Sequence, residues 1–404
     1  MTTATHPRTA ADGNSLWSAV KIGTMDLPHR LAMAPMTRDR SRPDGVPTPQ
    51  NAVYYAQRAS LALIISEGTQ PSPDGQGYLF TPGVHTREQV AGWRRVTDAV
   101  HDRGGRIAIQ LMHVGRVSHP SNTTHGRQPV APSAVQPQGV MFTAAGALPM
   151  PEPRALATEE VSGVVQQFRD AAAAAIAAGA DAVEIHAANG YLLHQFLSSN
   201  ANRRTDAYGG SITNRIRLSV EVAQAVADEI GADRTGIRIS PGNPFNDIVE
   251  DDAPALYAAL VDALAPLGLA YLHVAHAGDE DLLRSLRAAW PTALLLNRAG
   301  ADLPTRIADL DAGLADVITV GAMALANPDL VARVQAGASL NQPDRASFAA
   351  VGTRATSTTR RSPAPAPRRC ESAAGRPARS GSASACYLIG AGPTDLGLGR
   401  FGLG

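Results

Sequence analysis

Cysteine is nearly missing from this chain of 404 residues: Cys370 and Cys386 are its only two, and both fall near the end. Everything before them can hold no thiolate-ligated zinc or iron–sulfur centre. Lysine is scarcer still. Lys21 stands alone, upstream of the first candidate strand, which argues against chemistry through a lysine Schiff base. Excess charge of one sign is lacking too, since Lys+Arg and Asp+Glu are each 36. No net field draws the chain to nucleic acid or a membrane surface, and a small or neutral partner is expected. Long hydrophobic runs are absent as well. The start, MTTATHPRTA, lacks the basic and apolar pattern of a secretory leader, and AAAAAIAAGA at 171–180 is too short to span a bilayer. A cytoplasmic protein is expected.

What is present is an alternation. Short apolar runs recur at 30–37 (RLAMAPMT), 61–68 (LALIISEG), 106–113 (RIAIQLMH), 181–188 (DAVEIHAA), 235–241 (TGIRISP), 270–276 (AYLHVAH), 293–298 (ALLLNR) and 316–322 (DVITVGA). Each is followed by a loop and a helical pattern, as a parallel sheet covered on its outside requires. Eight such units predict an α/β fold, a (β/α)8 TIM barrel, over residues 1–348. The rival, a doubly wound open sheet, finds no GxGxxG after its first strand. Gly179 supplies a helix stop before strand four, and Asn327-Pro328-Asp329 reads as the capped start of the helix after strand eight. From Val114 to Thr158 the connection after strand three far exceeds an ordinary βα loop. We expect a hairpin over the barrel mouth, the alternative being a passive insertion.

In such barrels the working groups sit at the C-terminal strand ends. Here those ends are polar: Pro35-Met36-Thr37, Gln110-Leu111-Met112-His113, His186 to Tyr191, and Arg238 to Pro241. Together they could bind a large polar cofactor. Residues 181–215, DAVEIHAANGYLLHQFLSSNANRRTDAYGGSITNR, resemble the signature of the Old Yellow Enzyme family, and LAMAPMTR, YYAQRAS, SEGTQ, IQLMHVGR and LANPDLV are similar to that family in order. The similarity covers roughly residues 15–348.

The resemblance implies an FMN-dependent ene-reductase fed by NADPH or NADH, acting on a small electrophilic alkene as monomer or homodimer. It implies that His186 and Asn189 donate hydrogen bonds to the substrate's activating oxygen and that Tyr191 gives a proton to the α-carbon. For the flavin it implies Thr37 near the O4 and N5 edge, Gln110 and Arg238 on the pyrimidine side, and Pro35, Met36 and Gly68 alongside the ring. Gln110 and Arg238 could otherwise be an ordinary buried polar pair. Tyr78, Met112 and Phe245 match pocket-lining positions, and no metal is implied. One departure stands out. After strand eight many relatives carry Gly-Arg, the arginine gripping phosphate, whereas this chain has Gly321-Ala322. Arg298 is expected to substitute, with backbone amides near Ala299, Gly300, Gly321 and Ala322 completing the cradle; it could instead be a surface charge.

After Phe348 the composition turns abruptly to Arg, Ala, Ser and Pro with no apolar period, so residues 349–404 are expected to be a disordered tail. Back-translated with GC-rich codons and read one base earlier, the stretch 349–359 yields a run of glycines, a variable residue, Glu-Gly-Tyr, a variable residue and Asp-Tyr. That resembles the Gly-Tyr-Thr-Asp-Tyr-Pro ending typical of the family, and a frameshift is the hypothesis. An alternative function follows from it: a flavin-binding barrel with little activity because its C-terminus is altered.

Overall fold

The computed structural model describes residues 15–344 and Phe348; the tail expected over 349–404 lies outside them. Eight parallel strands close a barrel in sequence order: β1 (Leu31–Met33), β2 (Ile64–Ile65), β3 (Ile107–Leu111), β4 (Ala182–Ala187), β5 (Thr235–Ile239), β6 (Tyr271–His276), β7 (Ala293–Arg298) and β8 (Val317–Val320). All eight fall inside the runs read from sequence. Around them lie α1 (Pro49–Ala56), α2 (Arg87–His101), α3 (Thr158–Ala177), α4 (Leu192–Leu197), α5 (Ile212–Ile230), α6 (Ala253–Leu264), α7 (Glu280–Ala289), α8 (Leu303–Asp311), α9 (Ala322–Ala326) and α10 (Leu330–Gln335).

Alternation along each strand sorts its residues between two cores. Outward-facing Ile107, Ile109, Val183, Ile185, Ile237, Leu272, Leu294 and Ile318 pack with helix residues such as Trp93, Phe168 and Leu260. Inward-facing Ala108, Ala182, Tyr271, Leu295 and Val317 form an apolar floor. Above that floor the inward positions become polar: Gln110, Glu184, Arg238, His273, Asn297 and Thr319 are all buried. This polar layer separates a stable base from a chemically active rim.

Below the floor sits an element that the alternation does not reveal. Val20–Ile22 and Met25–Leu27 form an antiparallel hairpin whose Ile22, Met25 and Leu27 plug the barrel bottom. Lys21 is therefore in a strand, pointing outward and exposed, 3.2 Å from Asp26. The connection after β3 does carry a hairpin, Val140–Thr143 with Gly146–Pro149, and Met141 from it and Met150 just after it pack with Met112 and Tyr191. Gly179 ends α3 at a φ of 92°, as expected. The cap expected at Asn327 is corrected: its side chain donates to the Met323 and Asn341 carbonyls, closing α9, and Asp329 takes the N-cap of α10. Proline at 328 breaks the pattern into two short helices where sequence suggested one.

Candidate active site

The loops after β1 to β5 build the rim. Residues 188–191 turn sharply after β4, with Asn189 at a φ of 54° and Gly190 at 79°. Asparagine tolerates that left-handed region better than most residues, and glycine does so freely. Gly190 is required for a second reason: a Cβ there would lie 2.5 Å from the Asn246 Cβ and 2.6 Å from the Phe245 carbonyl oxygen. Gly190→Ala is accordingly expected to destabilise the fold by about 2 kcal/mol or more, seen as a lower thermal midpoint, because it adds backbone strain to a clash.

The imidazole of His186 is 3 % exposed, and its Nδ1 accepts the Ala188 backbone N–H at 3.2 Å. The proton of the neutral ring must therefore sit on Nε2 as a donor. Burial first, and the Arg238 guanidinium second, hold the imidazole pKa well below its ordinary value, so the ring is neutral near pH 7. Asn189 is fixed from three sides. Its N–H donates to Ser240 Oγ at 2.8 Å, its carbonyl accepts from Asn246 Nδ2 at 2.7 Å, and its Oδ1 accepts from Asn243 Nδ2 at 3.1 Å. With Oδ1 occupied, the Nδ2 hydrogens are left to point elsewhere. Tyr191 stacks edge-on to His186 at 5.0 Å between ring centres, and its hydroxyl lies 3.0 Å from that of Tyr78. Burial raises the Tyr191 pKa above its ordinary value, which keeps the phenol protonated. His194, beyond it, is structural: Nδ1 accepts from the Gly190 N–H at 2.9 Å while Nε2 lies 2.9 Å from Glu250 Oε1.

Beneath the rim runs a chain of hydrogen bonds. Gln110 Nε2 donates to Glu184 Oε1 at 2.7 Å, Glu184 Oε2 is 2.9 Å from His273 Nδ1, and His273 Nε2 is 3.0 Å from Thr319 Oγ1. Arg238 sits in this layer 3 % exposed, its Nε buried without a hydrogen-bond partner. A guanidinium left so incomplete is a costly arrangement unless an acceptor comes to it. Reduced flavin carries negative charge at N1 and O2, and its imide edge needs both donors and acceptors, so Arg238 and Gln110 suit that group chemically. Pro35 and Gly68 are buried, and Met36 and Thr37, in the loop after β1, are half-buried; a Cβ on Gly68 would lie 2.4 Å from Met112 Sδ.

A family model for the NADH:flavin oxidoreductase / NADH oxidase family matches residues 15–341. The chain belongs to that family. As a NADH:flavin oxidoreductase of the Old Yellow Enzyme type it uses FMN as cofactor and a nicotinamide as hydride donor. Among relatives, it is 42 % identical over 342 residues to a probable flavin mononucleotide-dependent alkene reductase of Leishmania infantum, covering 82 % of this chain and 93 % of that one. It is 39 % identical over 353 residues to 12-oxophytodienoate reductase 1 of Oryza sativa subsp. japonica, covering 84 % and 90 %. Among solved structures, morphinone reductase in complex with tetrahydroNAD superposes with a TM-score of 0.82 at 42 % identity, covering 86 % and 98 %. The old yellow enzyme homologue from Zymomonas mobilis superposes at 0.83 and 37 %, covering 86 % and 99 %.

For this NADH:flavin oxidoreductase, one expectation meets an obstacle. Arg298 ends β7 with its Nε and Nη2 donating to Asp309 at 2.7 and 2.9 Å and its Nη1 and Nη2 donating to Glu280 at 2.6 and 3.0 Å. It is neither a surface charge nor a free cation, because two carboxylates already match its planar fork. Gly300 is exposed at a φ of 77°, Gly321 packs beneath Met36, and Ala322 opens α9. Phe245 stands 36 % exposed on the rim. Sequence reasoning passed over Glu184, His273, Ser240 and Asn243. A carboxylate two residues before His186, inside an apolar run, was the available signal, since it must face inward with it. Because Glu184 can only accept, it fixes which end of the Gln110 amide faces down. Glu184→Gln is expected to weaken FMN binding about tenfold, the loss of one hydrogen bond to a charged group, measured by fluorescence titration of the flavin.

Proposed function

We propose that this chain reduces activated carbon–carbon double bonds in enones, enals, maleimides and nitroalkenes, and also nitrate esters, as a cytoplasmic monomer or homodimer with no nucleic-acid partner. The observation that carries the proposal is the pair of pre-set donors. His186 has its acceptor nitrogen filled by the Ala188 N–H and Asn189 has its side-chain Oδ1 filled by Asn243, so each offers N–H hydrogens at the rim. The names of the alkene and 12-oxophytodienoate reductases support the same substrate class.

Arg238 and Gln110 would hold the pyrimidine side of FMN, and Thr37, Pro35, Met36 and Gly68 would line its other edges. The chemistry bound FMN supplies is storage of a hydride between the nicotinamide and the alkene. The protein's part is to stabilise the charge that hydride arrival pushes onto the activating oxygen. Two fixed neutral donors do this without reorganising, and each is typically worth about 2.7 to 4 kcal/mol. Tyr191 then gives its phenolic proton to the α-carbon, and the Tyr78 hydroxyl beside it can donate to the resulting phenolate oxygen. Tyr78 and Met112 wall the pocket with Phe245 at its edge.

Purified protein tests this directly. It should be yellow, bleach with NADPH, and recover colour when 2-cyclohexenone is added without oxygen. Colour without turnover would favour the second reading, a barrel disabled by its tail. Because His186 is neutral and Tyr191 protonated, the rate of recovery is expected to be flat between about pH 6 and pH 9. A rise or fall with an apparent pKa near 6.5 would show that His186 ionises during turnover.

A further inference from the structure

In barrels of this class a phosphate habitually lies against the loops after the seventh and eighth strands and the short helix that follows. In this chain that corner is the loop from Arg298 to Asp302 together with Gly321 and α9. A phosphate dianion there is held most tightly when a cation has N–H groups free to turn to it. Arg298 is engaged by both Glu280 and Asp309, and Glu280 is in turn 3.1 Å from His276 Nε2. Arg306 is equally spent: Nε donates to the Ala301 carbonyl, Nη1 to that of Thr319 at 2.9 Å, and Nη2 to that of Arg298. It ties the two loops together and faces their carbonyls. Arg58 is committed as well, its Nε and Nη2 donating to the Ala324 and Leu325 carbonyls of α9 at 3.0 and 2.8 Å, so each of these three guanidiniums already has acceptors before any phosphate arrives. At position 322, where a long cationic side chain could reach over the start of α9, there is a methyl group.

The ring end of the site is built the opposite way. Arg238 is buried with an unpaired Nε, and Gln110 is oriented by Glu184. We propose that this chain holds its flavin by the isoalloxazine and reads the phosphate weakly, so that riboflavin and other flavins lacking the terminal phosphate bind nearly as well as FMN. Backbone N–H groups remain as the phosphate's partners, and without a free guanidinium beside them they add only a modest preference for it over a hydroxyl. A bidentate arginine would favour FMN over riboflavin by roughly tenfold to hundredfold, and that preference is what the corner lacks.

The inference rests on the site being a flavin site, and the test separates the two claims. Full-length protein stripped of flavin is titrated with FMN and with riboflavin, following flavin fluorescence at low and high salt. The expected result is a ratio of dissociation constants below about tenfold that hardly changes with salt. Ala322→Arg should raise the preference for FMN at least tenfold and make it salt-sensitive. A wild-type preference for FMN above about tenfold overturns the proposal and leaves the flavin site standing. Arg298→Met then shows whether that guanidinium is the responsible cation. If neither flavin binds, the proposal and the flavin site fall together.

Discussion

Replacing His186 and Asn189 together by alanine is expected to lower kcat/KM for 2-cyclohexenone by at least a thousandfold while FMN content and thermal midpoint stay close to the parent. Loss of one preorganised donor to a developing oxyanion typically costs about a hundredfold to a thousandfold. Because both donors would serve one oxygen, their effects should not simply multiply, so the double variant should fall little below the worse single one. Neither side chain carries the fold. His186 spends one bond on the neighbouring Ala188 N–H, and the loop around Asn189 is also held by its backbone bonds to Ser240 and Asn246. A double variant that keeps activity within tenfold of the parent would show that the two donors are not aimed at the substrate.

Tyr191→Phe should slow recovery of the flavin colour by enone about a hundredfold to ten-thousandfold, with NADPH bleaching retained. The sign of the pH effect follows from the environment. Burial is the largest influence on the phenol and raises its pKa, so the proton-donating form persists through neutrality and is lost only as pH climbs past that raised value. The parent's rate should therefore decline only above about pH 10, and the variant should lose that decline along with its activity. If Tyr191→Phe reoxidises as fast as the parent, the proton comes from elsewhere, and Tyr78, at 3.0 Å from the Tyr191 hydroxyl, is the first group to replace next.

The barrel was legible because each strand is buried on both faces, which writes it as a nearly continuous apolar run between helical patterns. The rim was legible because polar residues at strand ends break that rule together, at 110–113, 186–191 and 238–241. What escaped was of three kinds. The plug formed by Val20–Ile22 and Met25–Leu27 consists of strands three residues long, below the length at which alternation can be recognised. The Gln110–Glu184–His273–Thr319 chain joins residues from four strands, and its pairing is set by barrel register rather than by spacing in the sequence. Arg298 shows a third limit. Its position at a strand end suggested a ligand, but its partners Glu280 and Asp309 lie on α7 and α8, and only the tertiary packing brings both to the same guanidinium.

The central claim is that a neutral imidazole and a fixed carboxamide stand as donors over a bound flavin, polarising an alkene for reduction. Anaerobic stopped-flow tests it most directly: protein loaded with FMN is reduced by one equivalent of NADPH and mixed with 2-cyclohexenone, while oxidised-flavin absorbance is recorded. Rapid, saturable recovery in the parent, with recovery at least a thousandfold slower when His186 and Asn189 are both alanine, is the predicted result. Recovery at equal rates in the two proteins, or a parent that stays bleached, would contradict it.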